Sequence, residues 1–404
     1  MSERIYMDNA ATSFPKPKAV LEAMTDYAQR LGASPGRGAY AEAKESGRLM
    51  NRCRERINTL IGGEDPNHVV FTLNTSDALN IAIRGLIHPG ASKRHVITTW
   101  LDHNSILRPF NMLASLGEAE QTRIECDAVS GLIDAGDVEA AIRPDTGLIA
   151  LLHGSNVSGT VQPIREIAAV ANKHNIPILV DAAQTLGHIP INVVEDGIDL
   201  LAFPGHKGLL GPLGTGGLYI RPGMEKMMRT AKEGGTGSFS ELDTQPEFMP
   251  DRFEPGSHNA IGIIGLSEGV QWILDHGVEK LWAHEQELVR EMVSRLGDKE
   301  AMPGMRFVGP QGAENRCGVF SIRIEGYDEP VMLSDVLEER FGLLTRSGIH
   351  CAPLAHKTFG THGLGGTTRF SFGPFTTVEH VRHACDAIST ICRETAAKQA
   401  ACGA

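Results

Sequence analysis

The chain has 404 residues, of which 41% are hydrophobic and 22% charged, and carries a formal net charge of −11 at pH 7. That length holds a large core and about two domains of ordinary globular composition. The acidic balance, without a lysine/arginine cluster, argues against a nucleic-acid surface; no apolar run approaches the ~20 residues of a membrane helix.

The segment Met1–Asp8 has no signal-peptide core, so a cytoplasmic protein is expected. Residues 8–15 read as an extended arm, and Lys18 to Leu31 has helical spacing of apolar residues. Residues 32–38 form a glycine- and proline-rich loop before a second helix from about Ala41 to Leu60. Strand-like runs follow at His68–Leu73, His95–Trp100, Arg123–Cys126, Gly147–His153 and Ile176–Asp181, with Thr215–Ile220 closing the sheet. Helices are expected at Ala78–Ile87, around Asp137–Ile142 and from Pro163 to His174. This alternation predicts an α/β fold, a mostly parallel sheet covered on both faces. Residues 231–259 are a long polar, glycine-rich loop, and such loops are usually functional or interfacial. A helical region from Gly262 to Leu296 precedes an α+β region: a strand at Gly318–Ile324, helices at Val331–Glu339 and Val378–Ala397, and loops with a strand at 345–374.

Two strand ends carry the chemistry. Leu200–Phe203 is a short apolar strand stopped by Pro204-Gly205, and His206-Lys207-Gly208 follows at the edge where open α/β sheets place ligands. Ile178-Leu179-Val180 is a second such strand, ending in Asp181. A lone lysine is usually solvated and a lone aspartate usually a helix cap. Together, an amine that forms an imine and a carboxylate that pairs with a pyridinium nitrogen are what pyridoxal 5'-phosphate requires of a protein. Asn74-Thr75-Ser76 begins a helix, and its N–H groups and hydroxyls suit a phosphate; a plain cap uses the same atoms.

The motifs VDAAQTLGH (residues 180–188) and FPGHKG (residues 203–208), with Asp8-Asn9-Ala10-Ala11-Thr12 at one end and Arg369 at the other, resemble class V, fold-type I pyridoxal-phosphate enzymes. Within them the chain is similar to the cysteine desulfurase and selenocysteine lyase family. The resemblance implies a mostly parallel seven-stranded sheet with helices on both faces and a smaller α+β C-terminal domain. Its expected units are an N-terminal arm and helix on the small domain (1–31), a cofactor domain (32–262) and a linking helix with the small domain (263–404).

By resemblance, Lys207 is the Schiff-base residue, Asp181 the partner of the ring nitrogen, Gln184 a donor to the phenolic oxygen and His103 the histidine stacked on the ring. Asn156 lies near the cofactor oxygen and substrate carboxylate, His206 is a further phosphate ligand, and Arg369 grips the carboxylate as a planar fork. Ser257 would reach the phosphate of a neighbouring subunit, implying a homodimer with shared sites. The segment Arg346-Ser347-Gly348-Ile349-His350-Cys351 resembles the R-x-G-x-H-C of group II desulfurases, in which the cysteine accepts sulfur. Arg346 and His350 would assist that thiol. The implied reaction converts L-cysteine to alanine, leaving a persulfide for an acceptor protein or thiol; a selenocysteine lyase and a class V aminotransferase are the alternatives. The other cysteines, 53, 126, 317, 385, 392 and 402, are odd in number with Cys351, widely spaced and without a C-x-x-C, which disfavours disulfides and zinc. Two positions depart from the family pattern: Pro204 replaces a phosphate-binding hydroxyl, and Gly36 replaces a histidine before Arg37.

Overall fold

The computed structural model describes residues 4–35, 38–236, 238 and 241–401, and residue 402 by its backbone. The Gly36 departure, Arg37 and the side chain of Cys402 lie outside the described residues.

The chain begins with β1 (Ile5–Tyr6), α1 (Lys18–Asp26), a π-helical turn at Tyr27–Leu31, and α2 (Ala41–Leu60). A large unit then alternates through β2 (Val69–Thr72), α3 (Thr75–Leu86), β3 (His95–Thr99), α4 (Asn104–Ser115), β4 (Glu120–Ile124) and α5 (Ala135–Ala140). It continues with β5 (Thr146–Leu152), α6 (Ile164–Lys173), β6 (Ile178–Asp181), β7 (Leu200–Pro204) and β8 (Gly216–Ile220). Helices α7 (Ala260–His276) and α8 (Val278–Leu296) follow. The smaller unit contains β9 (Met305–Phe307), β10 (Val319–Ile324), α9 (Pro330–Phe341), β11 (Leu343–Leu344), β12 (Arg346–Gly348), α10 (Pro353–Thr358), β13 (Thr367–Ser371) and α11 (Val378–Cys402).

The large sheet has seven strands in the order β2-β8-β7-β6-β5-β3-β4. Only β8 runs antiparallel to its neighbours. Strands β2, β6 and β7 are buried at every position, as strands covered on both faces must be. Helices pack one apolar cluster on each face of this sheet. A third cluster joins α8, α9 and α11 to the antiparallel sheet β12-β13-β10-β9.

The N-terminal segment divides between the two units. β1 pairs in parallel with β11 of the smaller unit, whereas α1 packs along α7, whose apolar residues belong to a large-sheet cluster. The expected single helical region 262–296 is two helices, broken at Gly277, whose φ of +82° is open to glycine. α3 begins at Thr75 rather than Ala78 because the Asn74 side chain accepts from Asp77 N–H at 3.0 Å and caps it. β4 lies earlier than Arg123–Cys126. It is the sheet's edge, only its last residue is buried, and so it lacks the apolar run of a central strand. α4 has no counterpart in the sequence-based assignment; Pro109 sits in its interior.

Candidate active site

Parallel strands all deliver their C-terminal ends to one edge of the sheet, and the site is built there. The end of β6 supplies Asp181 and the turn after it Gln184. Beyond β7 come His206 and Lys207, beyond β3 His103, and beyond β5 Asn156. Asn74, Thr75 and Ser76 enter from the start of α3. These nine residues line one cleft, together with Ser105, Leu152, Gly154 and Ala183.

Lys207 lies within a tight turn, residues 205–209. A Cβ on Gly208 would lie 2.2 Å from the Leu186 carbonyl oxygen, so only glycine lets the lysine turn approach the 182–188 loop. Burial pushes the Lys207 ammonium down to about 8; the charge of Asp181 opposes this and those of Arg369 and Arg346 add to it. Burial pushes the Asp181 carboxyl up to about 6, against the hydrogen bond that Ala183 N–H donates to Asp181 Oδ1 at 2.9 Å and the charge of Lys207. An uncharged, nucleophilic amine is therefore far more available than on a solvated lysine.

His103 caps α4. Its Nδ1 accepts from Ser105 N–H at 3.1 Å, which places the proton of the neutral ring on Nε2. Ser105 Oγ lies 2.9 Å from that Nδ1 and 2.7 Å from Ser76 Oγ, linking His103 to the start of α3. Burial first, then the charge of Lys207, holds His103 down to about 4, so the ring is neutral at physiological pH. His206 is also pushed down to about 4, by burial and then by Lys207 and Lys16. An anionic group in the cleft would meet the first turn of α3, where Thr75 and Ser76 present N–H groups and hydroxyls.

The sulfur-acceptor candidate arrives from the smaller unit. Cys351 follows β12 and is exposed; Cys53, Cys317, Cys385 and Cys392 are buried and Cys126 is half-buried. Burial pushes the thiols of Cys53, Cys126, Cys385 and Cys392 up to about 12, and that of Cys317 further, so all five are inert. His350 and Cys351 both occupy the left-handed region, with φ of 51° and 58°. The turn is held from the cleft side. Asn104 N–H donates to the Cys351 carbonyl at 2.9 Å, and Asn156 Nδ2 donates to the His350 carbonyl at 2.7 Å. The His350 ring is buried beneath, with Nε2 3.2 Å from Thr367 O, and burial keeps it neutral.

Arg369 is 1% exposed and does not open directly onto the cleft. Its Nη1 donates to the Asn156 carbonyl at 3.1 Å, and its Nη2 pairs with Asp8 Oδ1 at 2.7 Å. Arg346 lies directly across from it in the β12–β13 pair, with its side chain exposed. Ser257 lies away from this cleft, in a second one with Gly214, Lys232 and His258. Pro204 closes β7 opposite Gly216.

Three contributors escaped the sequence reading. Asp8 was visible only as the start of a motif. Ser105 stood in a helix start, Asp102-His103-Asn104-Ser105, that could have been recognised as a cap. Asp102 is fully buried; its two oxygens accept from Thr99 N–H at 2.6 Å and Leu152 N–H at 2.8 Å, tying the ends of β3 and β5 together. Burial pushes its carboxyl up to about 7.

Over residues 5–383 the chain matches the family described as Aminotransferase class-V. A protein of Methanothermobacter thermautotrophicus named "Probable cysteine desulfurase" is 33% identical over 95% of this chain and 93% of its own length. "Cysteine desulfurase IscS" of Dictyoglomus turgidum is 30% identical over 97% of this chain and 95% of its own. Among solved structures, the apo cysteine desulfurase of Thermococcus onnurineus NA1 superposes with a TM-score of 0.89 at 31% identity, covering 97% of this chain and 95% of that one. The chain belongs to the class-V aminotransferase family, among the cysteine desulfurases.

Proposed function

We propose that the protein is a pyridoxal 5'-phosphate-dependent cysteine desulfurase whose sulfur acceptor is Cys351. The observation that carries this reading is the Cys351 turn: the one exposed thiol among the described side chains is fastened by its backbone to Asn104, beside His103, and to Asn156.

The residues fit the cofactor on a count independent of the family. Asn156 Oδ1 and His206 Nδ1 are buried without a hydrogen-bond partner among the described residues, and buried polar atoms of this kind call for a ligand. Asn74, Thr75, Ser76 and His206 would hold the phosphate, Asp181 the ring nitrogen, Gln184 and Asn156 the phenolic oxygen, and Lys207 the aldehyde carbon. His103 would lie against the ring. Bound there, the cofactor supplies a sink for the electron pair left when the substrate's Cα–H bond breaks.

The chain's own groups do the rest. Lys207, neutral in part near pH 8, takes the Cα proton and returns it. Asp181 keeps a proton on the ring nitrogen. Arg369 orients the substrate carboxylate. Cys351 Sγ, as thiolate, bonds to the substrate sulfur as the Cβ–S bond breaks; the electron pair stays with carbon and is protonated. L-Cysteine and the Cys351 thiol thus become alanine and a Cys351 persulfide, which passes sulfur to an acceptor thiol or protein.

Ser257, remote from its own chain's cleft, would complete the site of a second subunit, giving a homodimer with shared sites. No described helix is long and apolar enough to cross a membrane. Six described cysteines are free thiols, and a reducing, cytoplasmic compartment suits them.

The reading is tested by assaying alanine, sulfide and selenide from L-cysteine, L-cystine and L-selenocysteine. Equal amounts of alanine and reducible sulfur from L-cysteine are expected. Conversion to a keto acid instead would favour an aminotransferase.

A further inference from the structure

We propose that Asp8, in the N-terminal arm, is the positioning residue of the substrate-carboxylate site: it holds the Arg369 guanidinium in one orientation. The proposal rests on the reading of Arg369 as the carboxylate clamp.

The arm places Asp8 with little freedom. Met7 O accepts from Ser371 N–H at 2.7 Å, Ala10 N–H donates to Ser371 Oγ at 2.8 Å, and Asn9 Nδ2 donates to Ser371 O at 3.2 Å. Asp8 itself bridges Ser371 in parallel, two residues beyond Arg369 on β13. The carboxylate is therefore in register with the guanidinium, and Oδ1 meets Nη2 at 2.7 Å. With Nη1 on Asn156 O, two of the three nitrogens are fixed and the plane of the group is set. Nε is buried without a partner among the described residues.

Charge points the same way. Arg346 stands opposite Arg369 across two antiparallel strands, where like charges repel. Burial lowers the Arg369 pKa, and the charge and hydrogen bond of Asp8 oppose that without cancelling it. Without Asp8, a buried cation would face a second cation with only a carbonyl for company, and the fork could turn away from the cleft.

The same arm reaches the other end of the site. The His206 carbonyl accepts from Thr12 Oγ1 at 3.0 Å, Ser13 N–H at 3.0 Å and Lys16 Nζ at 2.9 Å, and Ser13 Oγ donates to Lys207 O at 2.8 Å. Residues 8–16 thus strap the carboxylate clamp to the lysine turn.

The test uses the holoenzyme and L-alanine, which carries the substrate's carboxylate but no sulfur, titrated by its effect on cofactor absorbance. Asp8→Asn, Arg369→Lys and the double variant are compared with the unaltered protein, and KM and kcat are measured with L-cysteine. Asp8→Asn is expected to weaken L-alanine and raise KM about tenfold, the scale of one charge-assisted contact, with kcat changed less than about twofold. The double variant should bind no more weakly than Arg369→Lys alone, because both act through one group. Should Asp8→Asn not fold, Asp8→Ser carries the same test. Wild-type or tighter L-alanine binding without Asp8, while Arg369→Lys weakens it, overturns the proposal. Wild-type binding in Arg369→Lys overturns the clamp reading itself. Additive losses in the double variant also overturn the proposal.

Discussion

The site has a floor and a rim built on opposite principles. The floor, Lys207, Asp181 and His103, stands at strand ends, buried, with each ionisation moved by burial and by neighbouring charge. The rim is the Cys351 turn, an exposed thiol on two consecutive left-handed residues, held by backbone bonds from the floor's side. In the proposed reaction the floor needs burial, because a neutral amine and a carboxylate paired with a ring nitrogen depend on a low dielectric. On the same proposal the rim needs exposure, because a thiol that takes sulfur must pass it on. The five other cysteines with described side chains show what burial does to a thiol: it raises the pKa and keeps the sulfur protonated.

The largest effect should come from the floor. Lys207→Ala is expected to lose both the cofactor absorbance of the purified protein and all alanine formation; retention of both would remove the cofactor assignment. Next, Cys351→Ala should lower sulfur release from L-cysteine on the order of 10²-fold or more while keeping the cofactor absorbance and L-alanine binding. Part of the cleavage of L-selenocysteine should survive, since selenium leaves without a nucleophile more readily than sulfur. A parallel loss of absorbance would show that floor and rim are one unit.

Stability should separate the two regions as well. At the second cleft, which Ser257 also lines, Glu254 forms a bidentate pair with Arg54, at 2.6 Å for each contact, both side chains being 6% exposed or less. Glu254→Ala is expected to cost about 3 kcal/mol in chemical denaturation, since it leaves a buried guanidinium unpaired. The pH dependence is gentler. With the Lys207 amine lowered from 10.5 to about 8, its neutral fraction grows until about pH 8 and levels off above it. Capture of pyridoxal 5'-phosphate by the apo-protein should rise roughly tenfold per pH unit up to that point. A rise continuing to 10.5 would describe a solvated lysine. Smallest of all, Cys351→Gly should change unfolding free energy by less than about 1 kcal/mol, because relief of the left-handed strain offsets the added chain entropy.

Of the floor, Lys207 and Asp181 were legible from the chain because their signals are local, whereas His103 was read through resemblance. An apolar strand ending in Asp181, or in His206-Lys207 between glycines, shows its chemistry within ten residues. The β-α alternation likewise shows the sheet. What escaped depends on distant partners. Asp8 meets Arg369 across 361 residues, so neither neighbourhood announces the pair. The rim was read through resemblance alone, since nothing within 346–351 says that Asn104 and Asn156 will hold that turn. Helix α4, with Pro109 inside it and His103 as its cap, shows how packing overrides a local breaker.

The account turns on where the sulfur goes. After a single turnover with L-cysteine, alkylation and peptide mass spectrometry should find one added sulfur on the peptide containing Cys351 and none on those containing the other six cysteines. Sulfur on another cysteine, or alanine formed at the normal rate with Cys351 unmodified, would contradict it.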